Sequence, residues 1–162
     1  MIRRAGAADA TAIAALFRCS FGTLTFLPTL HTPTEDRQHF RRVVAEQEVW
    51  IAEEDGRMLG FAALADSMLS YLYVEPDARG HGIGSALFAR VMERRPNGFR
   101  FWVFQQNERA RRFYEQHGCR LLELTDGAAN EERQPDALYE WKPGSADLKP
   151  APSESRARAR RA

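Results

Sequence analysis

Apolar positions along this chain change period several times, and each change marks an element. Met1 to Arg4 reads as a short strand. Behind Asp9 as N-cap, Ile13, Leu16, Phe17 and Phe21 recur at helical spacing. Ser20 to Leu30 is apolar without a period and is broken by Gly22 and Pro28. Thr32-Pro33-Thr34-Glu35 is then a capping box with proline at the first helical position. The helix it opens turns Phe40, Val43 and Val44 inward and leaves Arg37, Arg41 and Arg42 on a solvated face.

Next come three strands in meander order. Glu48 to Ala52 and Met58 to Leu64 are joined across Glu53-Glu54-Asp55-Gly56-Arg57, where Asp-Gly is a hairpin signal. Asp66-Ser67 turns the chain again into Leu69 to Val74. Pro76 stops that strand because it cannot donate to a ladder. From Ile83 two rows at spacing four, Ile83-Leu87-Val91 and Gly84-Phe88-Met92, predict a helix. Arg95 to Gly98 ends it. Phe99 to Gln105 reads as a buried strand, and Glu108 to His117 as a helix preceded by Asn107 and closed by Gly118. Cys119 to Leu124 and Ala137 to Trp141 are the last strands, around a polar loop from Thr125 to Asp136.

Length and composition predict one domain over residues 1–142, which the element order makes α/β (α+β), with a basic, disordered tail over 143–162. The 44% apolar and 28% charged residues are ordinary for a globular protein. The formal charge of +1 hides an asymmetry: the tail carries +3 and the body −2. The body is therefore no nucleic-acid surface, and such a role would fall to the tail alone. Cys19 and Cys119 lie far apart without CxxC spacing, which predicts small core thiols in a reduced cytoplasm. The N-terminal stretch is explained by helical period rather than as a signal peptide, and no run is long enough to cross a membrane. The histidines have no metal-ligand spacing with cysteine, so no metal site is expected.

Chemistry concentrates between Leu72 and Leu87, LYVEPDARGHGIGSAL. A strand end, a glycine-rich loop and a helix start together form an anion site. First-turn N–H groups point outward, the helix dipole favours negative charge, and glycines let a diphosphate approach the backbone. Arg79 adds a fixed positive charge. A glycine count alone would equally mark a flexible turn. The loop lacks the Gly-Lys-Ser/Thr ending of a P-loop and the three-glycine Rossmann spacing.

The order Arg79-x-x-Gly82-x-Gly84 after a Val-x-Pro strand end does resemble the pyrophosphate signature of the GNAT superfamily of acetyl-CoA-dependent N-acetyltransferases. A second stretch, FRFWVFQQNERARRFYEQHGC, resembles the family's strand–Asn–helix signature with Asn107, Ala110, Tyr114 and Gly118. Element order β-α-α-β-β-β-α-β-α-β-β extends the resemblance over roughly residues 2–141. It implies a mixed, mostly antiparallel twisted sheet of six to seven strands with a splayed acetyl-CoA cleft and about four helices.

The resemblance further implies roles. Leu72, Tyr73 and Val74 should run beside the pantetheine arm, with the Val74 N–H polarising the thioester carbonyl. Backbone across Arg79, Gly80, His81, Gly82, Ile83, Gly84 and Ser85 should hold the pyrophosphate. Asn107 and Ala110 should line the cofactor, and Tyr114 should assist departure of the thiolate. The acceptor would be a small-molecule amine, attacking directly in a ternary complex. Its pocket in this fold lies between segments that here carry Phe26 and Glu131, an aromatic wall and an acidic loop suited to a cation. Asp66, Glu75, Glu35 and His31 are candidate bases, none singled out. The same resemblance admits a protein or peptide amine as acceptor, a non-catalytic acyl-CoA sensor, and homodimerisation through the last strands.

Overall fold

The computed structural model describes residues 1–144, and the expected basic tail lies outside them from residue 145 on. Among the described residues the element order is the one expected, with four α-helices and seven strands distributed over two compact units that divide after Arg94.

The first unit holds β1 (Ile2–Arg4), α1 (Ala10–Phe21), α2 (Pro33–Glu46), β2 (Glu48–Glu54), β3 (Arg57–Ala65), β4 (Met68–Val74) and α3 (Ile83–Arg94). Its strands pair antiparallel in the order β1-β2-β3-β4. Because side chains alternate along a strand, Val49, Ile51, Phe61 and Ala63 share one face. There they pack with Ile13, Ala14 and Leu16 of α1 and with Phe40 and Val43 of α2. The other face carries Trp50, with the Arg90 guanidinium of α3 4.5 Å from its ring centroid. Leu87, Phe88 and Val91 on the inner side of α3 are buried.

Local signals built these elements. The Thr32–Glu35 capping box is present in both directions, at 2.9 and 3.2 Å. Asp55 and Gly56 both adopt positive φ (49° and 76°), the backbone a two-residue hairpin turn requires. The strands they join reach Glu54 and Arg57, so the turn is shorter than the five residues expected. Asp9 departs from expectation. Its carboxylate makes no cap to α1 but accepts from the Gly6 N–H at 2.8 Å and from both terminal nitrogens of Arg3 at 2.9 and 3.0 Å. These bonds hold the Asp9 carboxyl below the usual carboxylate range, Arg3 contributing most.

The second unit holds β5 (Phe99–Phe104), α4 (Glu108–Gln116), β6 (Arg120–Leu124) and β7 (Asp136–Trp141). β7 lies between β5 and β6, antiparallel to both. The β5 strand is half-buried rather than buried. Phe99, Phe101 and Val103 face inward, whereas Arg100 is exposed and Trp102 is 46% exposed. α4 covers the Phe101 face, with the Tyr114 ring 4.2 Å from that of Phe101. The helix ends in a Schellman motif: Cys119 N–H donates to Tyr114 O at 3.0 Å and Gly118 N–H to Glu115 O at 3.1 Å, with Gly118 at φ 81°. Both cysteines are free thiols. Cys119 is buried as expected, but Cys19 is exposed, because it falls off the Ile13–Leu16–Ser20 stripe of α1.

Candidate functional site

In the first unit the glycine loop is placed by a residue that periodicity passes over. A Cβ on Gly60 would stand 2.9 Å from Tyr73 O, 3.0 Å from Leu87 Cδ1 and 3.3 Å from Ile83 Cγ2. Glycine here lets the first turn of α3 lie directly on β3. An isolated glycine inside an apolar strand was the available signal.

After Val74 the chain makes a single 3-10 turn over Pro76–Ala78 and passes Arg79 in extended conformation. Gly80 and Gly82 follow at φ 81° and 82°, and α3 starts at Ile83. A Cβ on Gly80 or Gly82 would meet nothing within 4 Å. The left-handed backbone, not crowding, is therefore what demands glycine at both positions. A bond from Ala86 N–H to Gly82 O at 3.0 Å closes the turn at the start of α3. The amides of Ile83, Gly84 and Ser85 precede it, at the positive end of the helix dipole. Arg79 Nη2 donates to Thr23 Oγ1 at 3.3 Å, and the Thr23 hydroxyl donates to Ser20 O at 2.6 Å. This ties the loop to the end of α1. His81 is exposed, with Nδ1 3.2 Å from Ala78 O.

Val74 occupies a defined phase of the ladder. Glu75 N–H donates to Leu59 O at 2.8 Å, and Val74 stands opposite Gly60. The Val74 N–H and C=O therefore turn away from β3, as do those of Leu72 two residues earlier. The Val74 carbonyl accepts from Ser20 Oγ at 2.8 Å, and Ser20 is only 1% exposed. Sequence reasoning missed Ser20, although it sits on the apolar stripe of α1 at i+4 from Leu16. The Tyr73 ring belongs to the aromatic core, 5.3 Å from Phe17 and 6.1 Å from Phe61. Phe26 is half-buried in the turns that follow α1.

The candidate bases have structural tasks. Glu35 caps α2 and lies 3.4 Å from His31 Nδ1. Glu75 pairs with Arg57 at 3.1 Å. Asp66 sits in the β3–β4 turn at φ 52°. One further pair emerges from the structure: His39 Nε2 and the Tyr71 hydroxyl, 2.7 Å apart.

In the second unit Asn107 caps α4, its Oδ1 accepting from Ala110 N–H at 3.2 Å. Tyr114 is 8% exposed, its ring held by Phe101 and Phe113. Beside it Tyr139 accepts from Arg111 Nε and donates to Glu115 Oε1, both at 3.0 Å. Burial pushes the Tyr139 phenol up to about 12 and does the same to the Cys119 thiol.

The loop from Thr125 to Asp136 is ordered by Gln105 and by its own polar groups. Gln105 Nε2 donates to the carbonyls of Thr125 and Asp136 at 2.8 and 2.9 Å. Asn130 Nδ2 donates to Gln134 O at 2.7 Å, and Asn130 Oδ1 accepts from Gln134 N–H at 3.1 Å. Under this loop lies a cavity of about 410 Å³, whose walls include Trp102, Phe104, Asn130, Glu132 and Asp136. Glu131 is exposed, and its neighbour Glu132 lines the cavity instead. Among the described residues no cluster of His, Cys, Asp and Glu could hold a metal ion, and no helix is long and apolar enough to cross a membrane.

Residues 45–119 match a family model described as an acetyltransferase (GNAT) domain. The chain is 34% identical over 100 residues to peptidyl-lysine N-acetyltransferase YiaC of Escherichia coli, covering 60% of this chain and 66% of that protein. It is 30% identical over 89 residues to peptidyl-lysine N-acetyltransferase YjaB of the same organism, covering 54% of this chain and 60% of that protein. The matches thus span slightly less than two thirds of these relatives. The solution structure of apo YjaB superposes with a TM-score of 0.71 at 24% identity, over 87% of this chain and 96% of that one. YncA of Salmonella typhimurium, determined with its cofactor acetyl-CoA, superposes with a TM-score of 0.68 at 20% identity, over 94% and 96%. These likenesses establish the fold.

Proposed function

Since this chain belongs to the GNAT superfamily, we propose that residues 1–142 form an acetyltransferase domain that moves an acetyl group from acetyl-CoA to a primary amine. The observation that carries the reading is the Arg79–Ser85 loop. Two glycines in left-handed conformation lead into the N-terminus of α3, where Ala86 N–H donates to Gly82 O. That geometry fits a diphosphate, which needs backbone donors at close approach and a positive dipole end.

When bound, acetyl-CoA would supply a thioester whose acyl carbon takes the amine nitrogen as the C–S bond breaks, the proton lost from nitrogen being matched by the one the released thiolate takes from solvent. The residues of this chain then have the following tasks. Ile83, Gly84 and Ser85 amides hold the diphosphate, with Arg79 beside them. The Val74 N–H, turned away from β3, donates to the carbonyl oxygen as negative charge develops there. Ser20 fixes that peptide by holding the Val74 carbonyl. Tyr114 donates a hydrogen bond to the departing sulfur. Full proton transfer from a phenol (reference pKa ~10) to a thiolate (~8.5) is uphill by about 2 kcal/mol, so its task is charge stabilisation.

For the acceptor, we favour a small aliphatic amine. A lysine side chain on a peptide is the second reading, favoured by the activity named for YiaC and YjaB. The free thiols support a reduced, cytoplasmic setting.

The test is calorimetric titration of acetyl-CoA, followed by thiol release with a panel of amines and lysine peptides. Binding with turnover that falls about 10- to 100-fold in Tyr114→Phe supports the reading. Binding without turnover on any amine points to an acyl-CoA sensor, and absence of binding overturns it.

A further inference from the structure

We propose that His39 and Tyr71 form a proton relay serving the acceptor's ammonium group: the Tyr71 hydroxyl takes the proton, through intervening water, as its own passes to His39 Nε2. The assignment rests on the acetyl-transfer reading and deepens it, because an amine of reference pKa ~10 attacks only after losing a proton.

The direction of attack comes first. Val74 stands opposite Gly60. Over Gly60 lie two α3 side chains, close enough that a Cβ there would meet Leu87 Cδ1 at 3.0 Å and Ile83 Cγ2 at 3.3 Å. That face of β4 is closed. The Val74 N–H lies in the plane of the sheet, and a donor prefers the plane of the carbonyl it meets. A nucleophile enters out of that plane, hence from the other face of the sheet. Tyr71 and Tyr73 project there, because they pair with Ala63 and Phe61, two residues of the core shared with α1 and α2. By strand rise Tyr71 stands ~10 Å from Val74 along β4.

The pair is held by aromatic packing. His39 Nε2 and the Tyr71 hydroxyl are 2.7 Å apart. The His39 ring meets Phe40 edge-on at 5.1 Å, and the Tyr71 ring lies 5.1 Å from Phe40 and 5.8 Å from Phe17. Both residues are nevertheless half-buried, so water reaches them. With its proton on Nδ1, His39 accepts the Tyr71 hydroxyl at Nε2. As a proton arrives on the Tyr71 oxygen, the phenol's own proton moves to Nε2. The products are a neutral amine and an imidazolium, which returns its proton to solvent, and no tyrosinate forms.

The charges around His39 are engaged elsewhere. One turn away on α2 are Glu35, Asp36 and Arg42. Arg18 of α1 holds Asp36 at 2.6 Å. Glu35 accepts from Thr32 N–H at 2.9 Å and lies 3.4 Å from His31. Arg42 is exposed. β3 brings Phe61 and Ala63 to this face, and β4 brings the Tyr71 and Tyr73 phenols.

The full chain is assayed for thiol release with a primary amine that it acetylates, at saturating acetyl-CoA, from pH 6 to 10. His39→Gln keeps a hydrogen-bonding group towards Tyr71 but cannot take a proton, and Tyr71→Phe removes one oxygen. In each, kcat at pH 7 should fall at least tenfold, with acetyl-CoA affinity within about twofold of wild type. The deficit should close towards pH 10, where the amine is neutral without help. Added imidazole should restore His39→Ala, which a purely structural role would not allow. Should the His39 variants fail to fold, Tyr71→Phe carries the test. Wild-type pH profiles in folded variants, or an equal loss at every pH, overturn the relay and leave acetyl transfer standing. Absence of transfer by the wild type to every amine overturns both.

Discussion

Ser20 Oγ donates to the carbonyl oxygen of Val74 at 2.8 Å, joining the end of α1 to the last residue of β4. Ser20 is buried, so no water replaces it readily when it is removed. Ser20→Ala should therefore destabilise the fold by about 1–3 kcal/mol, the usual result of leaving a buried acceptor unpaired. Chemical denaturation measures this directly. If Ser20 also fixes the Val74 peptide for catalysis, kcat should fall more than acetyl-CoA affinity.

Two glycines in the first unit should respond to alanine differently. At Gly82 the added methyl finds open space, but the backbone is left-handed, which adds about 1–2 kcal/mol for an L-residue. The loop can relax that strain by changing shape. Gly82→Ala is expected to keep a melting temperature close to wild type and lose at least tenfold in acetyl-CoA affinity. At Gly60 the methyl would meet Tyr73 O and Leu87, so Gly60→Ala should lose about 1–3 kcal/mol of stability through overpacking. Equal affinity in Gly82→Ala would remove the loop from the binding reading.

Features encoded within a few residues were legible in the sequence. The Thr32–Glu35 box, the Asp55-Gly56 turn, the Gly118 helix end and the start of α3 each need only local chemistry. What escaped was chemistry completed by a distant partner. Asp9 reads as a helix cap, yet Arg3 and Gly6 claim its carboxylate. Ser20 looks like the start of an irregular stretch because its partner is 54 residues away. The 125–136 segment reads as a solvated loop because Gln105, which anchors it, lies 20 residues before it, just past the end of β5. Two departures were available from pattern alone. Cys19 is off the buried stripe of α1, and Arg100 alternates with Phe99 and Phe101, the mark of a half-buried strand.

Asn107 offers a way to separate a structural task from a ligand task. Its Oδ1 caps α4 through Ala110 N–H, so Asn107→Ala should lose about 1 kcal/mol of stability. Asn107→Asp keeps an acceptor oxygen at the cap and removes the side-chain amide donors. Stability should return to near wild type in that variant. If the amide contacts pantetheine, acetyl-CoA affinity should stay low despite the restored fold. Recovery of both would confine Asn107 to capping.

Alkaline conditions should unfold the second unit through two buried acids. The Cys119 thiol and the Tyr139 phenol are both pushed up to about 12, chiefly by burial. In the unfolded chain they ionise near their ordinary values of ~8.5 and ~10. Between those values and about 12 the native state keeps protons that the unfolded state has released. Stability must then fall as pH rises, because fewer protons are bound on the unfolded side. Denaturation midpoints measured from pH 8 to 11 should decline, beginning near pH 9 as unfolded Cys119 ionises. Cys119→Ala should flatten the first part of that decline, and Tyr139→Phe the part above pH 10. In the native protein at pH 8, a thiol reagent should label exposed Cys19 promptly and spare Cys119 until denaturant is added. Prompt labelling of both thiols would place Cys119 outside the core, and the alkaline argument would fall with it.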